Sequence, residues 1–151
     1  LYNTRDVIGD DSFLLLESDL VFERKAILSL LDDESPDVML VSSLTKFQDQ
    51  YYVEYDCNHI LTSCSVDKDA LEAKGELVGI HKLSNTFYRR MCADYATILE
   101  SQPKLGYEYE LLRMSRSVSP VRVLRMEGLK WYEIDDEADL SYAEEHIIRY
   151  C

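Results

Sequence analysis

The beginning of the chain holds two short apolar runs separated by a helical pattern, and this order restricts the fold more than any other sequence feature. Ser12 to Ser18 and Asp37 to Ser43 each have the length and flanks of a buried strand. Between them, Val21 to Leu31 places apolar residues at helical spacing. A strand, a helix and a strand in succession are typical of parallel strands joined by a crossover helix. The opening therefore predicts an α/β fold with a mixed, mostly parallel sheet flanked by helices.

The rest of the chain continues to alternate between strand and helix patterns. Tyr51 to Tyr55 and His59 to Val66 predict a hairpin, and Leu77 to Leu83 predicts another strand. The later predicted elements are helices at 85–101 and 107–116, strands at 120–126 and 131–135, and a last helix at 140–150. Asp139 is the predicted N-cap of that last helix. At 151 residues the chain is long enough for one domain with one core, which we assign to residues 1–151.

Charge and composition argue against several classes of function. The net charge of −13 repels phosphate backbones, which argues against a nucleic-acid partner. The longest apolar runs, of which Phe13 to Leu16 is one, are too short to span a membrane. The four cysteines show neither C-x-x-C spacing nor a Cys/His cluster, which favours reduced thiols in a cytoplasmic protein.

Acidic residues follow the first and the last predicted strands, where open α/β sheets bind their ligands. These segments are Glu17-Ser18-Asp19 and Glu133-Ile134-Asp135-Asp136. Mg²⁺ prefers carboxylate oxygens, and phosphoryl or nucleotidyl transfer needs a hard cation against the phosphate oxygens. Aspartate is also common after strands as a turn or capping residue, and for Asp19 or Asp135 taken alone that structural role is favoured. A metal site requires the fold to bring both residues together.

Three segments carry more information when they are compared together. They are Leu1 to Asp6 with Asp11 to Glu23, then Gly79 to Ser84, then Trp131 to Leu140. In this order they resemble the nucleoside-triphosphate transferase family, most of all its bacterial phosphocholine and 2-aminoethylphosphonate cytidylyltransferases. The second segment is similar to the family's G-I-x-K-x-S strand, and the third to its W-x-E-I-D-D/T-x-x-D-L ending. The resemblance implies a Rossmann-like, GT-A-like nucleotidyltransferase fold.

The resemblance also implies a chemistry, in which Asp19 and Asp135 are the catalytic residues and the ligands of Mg²⁺. A phosphate or phosphonate oxygen of the acceptor would attack the α-phosphorus of CTP, and pyrophosphate would leave. Catalysis of this kind depends mainly on positioning and charge stabilisation. The implied partners are CTP and a small cationic phosphate or phosphonate, either phosphocholine or 2-aminoethylphosphonate.

A cationic head group suits aromatic faces and carboxylates. The residues predicted to bind it are aromatic or acidic and comprise Tyr107, Glu108, Trp131 and Glu133. Lys46 and Lys82 are candidates for binding the anion of the acceptor. Each of these residues also has a structural interpretation, since single aromatic residues usually pack in a core and single lysines are usually solvated.

One departure from the family pattern concerns the nucleotide. The family's glycine-rich loop, with its Arg and following Lys-Pro, holds the triphosphate, and the five glycines here form no such cluster. The sequence also begins at Leu1 without methionine. We therefore interpret the chain as the acceptor- and metal-binding part of a nucleotidyltransferase truncated at its N terminus, inactive or slow by itself. Two alternatives stay open, namely a sugar-1-phosphate nucleotidyltransferase and a non-catalytic regulatory copy of the fold.

Overall fold

The computed structural model describes residues 1–44 and 50–151, which form two β-sheets and four α-helices. In chain order the strands are β1 (Phe13–Leu16), β2 (Leu20–Phe22), β3 (Val38–Ser42), β4 (Tyr52–Tyr55), β5 (Leu61–Ser65), β6 (Gly75–Leu83), β7 (Arg122–Met126) and β8 (Trp131–Glu133). The helices are α1 (Lys25–Asp32), α2 (Asn85–Ile98), α3 (Tyr107–Ser117) and α4 (Glu137–His146). Short 3₁₀ helices occur at Tyr2–Thr4, Lys68–Ala70 and Ile148–Tyr150.

Strand β6 is the centre of the larger sheet, whose order is β5-β4-β6-β3-β7 with β1 also paired to β6. One edge of β6 pairs with β3 along most of its length. The other edge has two partners, because β4 lies opposite Gly75 and Glu76 while β1 lies opposite Ile80 to Leu83. The smaller sheet consists of β2 and β8, which are antiparallel.

The α/β class and the mixed sheet flanked by helices are confirmed, but neighbouring strands are mostly antiparallel rather than mostly parallel. Within the part of the chain that the structure describes, only β3 and β7 form a parallel pair in the larger sheet. Strands β1 and β3 do run in the same direction, as the opening pattern predicts. They are not neighbours, however, because β6 lies between them and runs in the opposite direction.

The two faces of the sheet carry separate hydrophobic clusters. Met39 and Val41 of β3 point to one face, which α2 and α3 cover. Val38 and Leu40 point to the other face, where they pack with α1 and with Trp131 of β8. This alternation follows from the pleat of a strand, and it explains why β3 is apolar at every one of these positions. Both layers of the domain are thus anchored on the same central strands.

The boundaries of two helices differ from the prediction. The predicted helix 21–31 is divided, since its first residues belong to β2 and α1 begins at Lys25. The last helix begins at Glu137 and is capped by Asp136, whose Oδ1 accepts the N–H groups of Ala138 and Asp139. Asp139 is therefore a first-turn residue rather than the N-cap. Among the described residues, no helix combines the length and the apolar character needed to cross a membrane.

Candidate metal and acceptor site

The edge of β6 changes partner near Gly79, and this change makes room for an acidic side chain. Gly79 has φ of +74°, a conformation that glycine adopts without strain, and its carbonyl accepts the N–H of Glu17 at 3.0 Å. A Cβ atom on Gly79 would overlap with the Glu17 carboxylate. The side chain of Glu17 therefore lies directly across the glycine, one residue beyond the end of β1.

The pairing of β2 with β8 brings the acidic ends of the first and last strand segments together. Leu20 lies opposite Glu133, and the N–H of Ile134 donates to the carbonyl of Asp19 at 2.9 Å. One carboxylate oxygen from each of Glu17, Asp19 and Glu133 lies within 4.8 Å of the others. We call these three residues the carboxylate cluster.

The carboxylate cluster has the donor chemistry of a divalent cation site. Its three oxygen ligands are of the type that Mg²⁺ selects, and Asp19 is exposed, which leaves one side open to solvent. Burial raises the pKa of Glu17, and the neighbouring charges of Glu133 and Asp19 raise it further against the opposing hydrogen bond from Tyr107. Three carboxylates this close repel one another, so a cation or a proton stabilises the arrangement.

Polar side chains behind the cluster orient its members. The Nε2 amide of Gln50 donates to Glu133 Oε2 at 2.9 Å. The hydroxyl of Tyr107 donates to Glu17 Oε1 at 2.5 Å, and His81 Nε2 lies 3.2 Å from the same hydroxyl. His81 is fully buried, and this burial lowers its pKa to about 3, so its ring is neutral at pH 7. These contacts hold two carboxylates in defined positions.

A cavity of about 220 Å³ adjoins the carboxylate cluster and has an acidic and aromatic lining. Its lining residues are Glu17, Gln50, Tyr51, Leu77, Glu108, Trp131 and Glu133. We call this space the acidic cavity. Two of its buried polar atoms, Glu108 Oε2 and Trp131 Nε1, have no hydrogen-bond partner among the described residues.

The electrostatics of the acidic cavity favour a cation. Burial raises the pKa of Glu108, and the charge of Glu17 adds to this effect. A buried carboxylate oxygen without a donor is costly, so a ligand that brings positive charge or a donor group is stabilised there. The ring of Trp131 provides an aromatic face in the same space.

The structure brings five of the predicted site residues into this region. Asp19 and Glu133 belong to the carboxylate cluster, Glu108 and Trp131 line the acidic cavity, and Tyr107 binds Glu17. Tyr107 is not among the residues that line the acidic cavity, so its contribution there is to position Glu17. Carboxylates from the first and last strand-end segments are therefore close together, but the pair is Asp19 and Glu133 rather than the predicted Asp19 and Asp135.

Asp135 is placed differently from the prediction. Its side chain is exposed, it does not belong to the three clustered carboxylates, and its N–H donates to Asp139 Oδ2 at 3.2 Å. Strand β8 ends at Glu133, and Asp135 belongs to the turn that leads into α4. Glu133, two residues earlier, takes the position beside Asp19.

Of the two predicted lysines, the structure describes Lys82, which does not lie with these residues. Lys82 donates through Nζ to the carbonyl of Asp33 and lies near the charge of Asp37, so it supports the end of α1 instead of lining the acidic cavity. Lys82 is at the far end of β6 from the β4 pairing. The prediction for Lys46 falls outside the described residues.

Three residues of the site were missed by sequence reasoning. Glu17 lies in the segment that the strand-end rule singles out, but the resemblance directs attention to Asp19 instead. Gln50 and Tyr51 follow no recognisable motif. They precede β4, and the pairing of β4 with the first residues of β6 brings them to the acidic cavity. This pairing joins distant parts of the chain, so no local pattern could predict it.

No model of a known protein family matches the chain. Solved nucleotidyltransferase structures do share its fold. The inositol-1-phosphate CTP transferase from T. maritima has a TM-score of 0.75 and 18% identity, over 99% of this chain and 59% of that chain. The CTP:phosphocholine cytidylyltransferase from Streptococcus pneumoniae has a TM-score of 0.72 and 15% identity, over 96% and 60%.

A putative glucose-1-phosphate thymidylyltransferase from Bacillus anthracis is also similar, with a TM-score of 0.70 and 13% identity, over 95% of this chain and 57% of that chain. The chain thus has the nucleotidyltransferase fold that the resemblance implies. It spans about three fifths of the length of these three proteins.

Proposed function

We propose that residues 1–151 supply the metal-binding and acceptor-binding part of a nucleotidyltransferase that transfers CMP from CTP to a small cationic phosphate or phosphonate. The observation that carries the proposal is the position of the carboxylate cluster directly beside the acidic cavity. Charge stabilisation and acceptor recognition are needed side by side in such a reaction. Phosphocholine and 2-aminoethylphosphonate are the proposed acceptors.

In the proposed reaction, an acceptor oxygen forms a bond to the α-phosphorus of CTP, and the bond from that phosphorus to pyrophosphate breaks. A divalent cation such as Mg²⁺ at the carboxylate cluster would supply positive charge to the phosphate oxygens. Asp19 and Glu133 are the ligands we propose, with Glu17 completing the set. Gln50 keeps Glu133 in place through its hydrogen bond of 2.9 Å.

The acidic cavity is the proposed site of the cationic head group. Glu108 offers a buried oxygen without a donor, and Trp131 offers a ring face. A cation over such a face contributes about 0.5–2 kcal/mol, the larger value applying when water is excluded. Both effects are available to a trimethylammonium or aminoethyl group, whereas an uncharged sugar ring brings no positive charge to Glu108.

Metal binding tests which carboxylates are ligands. Mn²⁺ affinity measured by calorimetry should fall at least about tenfold in Asp19→Asn and Glu133→Gln, because each loses a charged ligand. Asp135→Asn separates the two placements of the last ligand, since the sequence resemblance assigns the role to Asp135 and the cluster geometry to Glu133. Asp11→Asn, an exposed acid near β1, is the matched control. Unchanged affinity in both Asp19→Asn and Glu133→Gln would refute the metal site.

Acceptor binding tests the substrate class. In the presence of Mn²⁺, phosphocholine or 2-aminoethylphosphonate should bind more tightly than glucose 1-phosphate. Glu108→Gln should remove most of this preference, because it neutralises the carboxylate that faces the head group. Tighter binding of glucose 1-phosphate would instead support the sugar-1-phosphate alternative.

Transfer itself is measured as pyrophosphate release from CTP, using a protein that joins this chain to the glycine-rich nucleotide loop that the resemblance implies. Asp19→Ala should abolish release while circular dichroism shows an intact fold. Equal release by the variant would contradict a catalytic role for the carboxylate cluster and leave the regulatory alternative.

A further inference from the structure

A second cavity, of about 280 Å³, lies between the N-terminal 3₁₀ helix, α2 and α3, and the proposed reaction does not use it. We call it the helical cavity. Its walls are mostly aromatic and aliphatic and include Tyr2, Met91, Tyr95, Leu99, Leu105 and Glu110. The volume is just below the range of about 300–1,000 Å³ typical of drug-sized ligands, so a small molecule fits it.

Glu110 is the feature of the helical cavity that core packing does not explain. The residue is 3% exposed, and neither oxygen of its ionised carboxylate accepts a hydrogen bond from the described residues. Burial raises the pKa of Glu110 to about 7. A hydrogen bond between protonated Glu110 and Asp94 adds to this effect, the charge of Arg113 opposes it, and the charge of Asp94 adds to it further. Burying the ionised form of Glu110 costs free energy, because no hydrogen bonds replace the water that the carboxylate loses.

The nearest positive charge satisfies Glu110 only in part. Arg113 Nε lies 3.4 Å from Glu110 Oε2, while the Nη2 group of the same guanidinium is bound to Asp94. Two carboxylates therefore share one cation, and when both are ionised one negative charge is left without compensation. A positively charged donor that enters the helical cavity would supply what Arg113 does not.

The aromatic walls suit the apolar body of such a ligand. Tyr2 and Tyr95 meet edge to face at 5.2 Å between ring centroids, and the hydroxyl of Tyr95 donates to the carbonyl of Pro103 at 3.1 Å. The Tyr95 ring is thus held in place with its polar tip directed away to the backbone. Rigid rings bind an apolar group with little loss of side-chain entropy.

We propose that the helical cavity is a binding site for a small organic ammonium compound with an apolar body, whose ammonium group donates to Glu110 while its body packs against Tyr2, Tyr95 and Leu99. This site is distinct from the acidic cavity and does not depend on the proposed function. Tyr107 lies in the wall of the helical cavity and also binds Glu17, so a test must distinguish the two cavities.

Benzylamine is the probe, and benzyl alcohol is its uncharged counterpart of nearly equal shape. Calorimetry should show benzylamine binding roughly tenfold or more tightly than benzyl alcohol, and Glu110→Gln should weaken benzylamine by a similar factor. Glu100→Gln, which changes an exposed acid after α2, should leave the affinity unchanged. Glu108→Gln should also leave it unchanged, because Glu108 lines the other cavity.

Leu99→Trp provides a test that keeps Glu110. The larger ring fills the helical cavity from the partly exposed wall of α2, so benzylamine binding should disappear while the fold persists. Absence of benzylamine binding to the unmodified chain would overturn the proposal. Equal affinity for benzyl alcohol, loss of binding in Glu108→Gln but not in Glu110→Gln, or full affinity in folded Leu99→Trp would each overturn it as well.

Discussion

At the scale of single residues, Asp33 shows how one residue can connect three separate segments. It ends α1, and its carboxylate accepts the N–H of Ser35 and the Nε of Arg122 in β7, both at 2.9 Å. Its backbone carbonyl accepts Lys82 of β6. Burial tends to raise the pKa of Asp33, but the hydrogen bond from Ser35 and the charge of Arg122 outweigh burial and lower it.

Asp33→Asn should therefore lower the free energy of unfolding by about 1–2 kcal/mol near neutral pH, since a charge-assisted bond to Arg122 is lost. A lowered pKa in the folded state stabilises the protein above the unfolded-state pKa, and this contribution disappears as the pH falls through the folded-state pKa. The difference from the unmodified chain should thus shrink below about pH 3.9. Urea unfolding at several pH values measures it, and Asp32→Asn, an exposed neighbour, is the control. A pH-independent difference would contradict the assignment.

At the scale of elements, the divided edge of β6 couples sheet geometry to the site. Strand β4 pairs with the first two residues of β6 and β1 with its last four, and Gly79, with its positive φ, lies between these two pairings. The Glu17 carboxylate occupies the space where a side chain at this position would lie. A glycine in the middle of a strand is destabilising in general, so its presence here reflects close packing rather than strand propensity.

Gly79→Ala should weaken Mn²⁺ binding as well as stability, because the new methyl group displaces Glu17. Gly128→Ala is a matched control, since Gly128 has φ of +66° and open space around it. Both variants should lose about 1–2 kcal/mol of unfolding free energy from backbone strain. Only Gly79→Ala should also reduce Mn²⁺ affinity in calorimetry, and equal affinity in the two variants would show that Glu17 is not displaced from a metal site.

Local patterns in the sequence predicted most elements but not their neighbours. Apolar runs identified β1 and β3, because a strand that is buried on both faces is apolar along its own sequence. The expectation that β1 and β3 are neighbours was wrong, because β6, which lies between them, comes much later in the chain. The same limit explains the site, since Asp19 could be predicted from its place after a strand, whereas the placement of Glu133 depends on the β2–β8 register.

At the scale of the whole molecule, the net charge of −13 acts against compactness. Like charges repel over the surface, and the carboxylate cluster concentrates this repulsion at one place. Acidic residues outnumber basic ones by 29 to 16, so much of this repulsion is left uncompensated. Screening by salt should therefore stabilise the folded chain.

Raising NaCl from about 0.01 M to about 1 M shortens the Debye length from about 30 Å to about 3 Å and should increase the melting temperature at pH 7. The control is the same comparison near pH 4.5, which is close to the isoelectric point, where net repulsion vanishes. The salt effect should be much smaller there. A similar increase at both pH values would assign the effect to general salting-out instead of screened repulsion.

The ladder between β2 and β8 joins residues 20–22 to residues 131–133. On the ribosome the earlier strand emerges long before the later one has been synthesised. Asp19 then has no Glu133 beside it, and a nascent chain lacks the complete cluster however well its first segments have folded. The proposed metal site is therefore incomplete until residues 131–133 have been synthesised and have paired with residues 20–22.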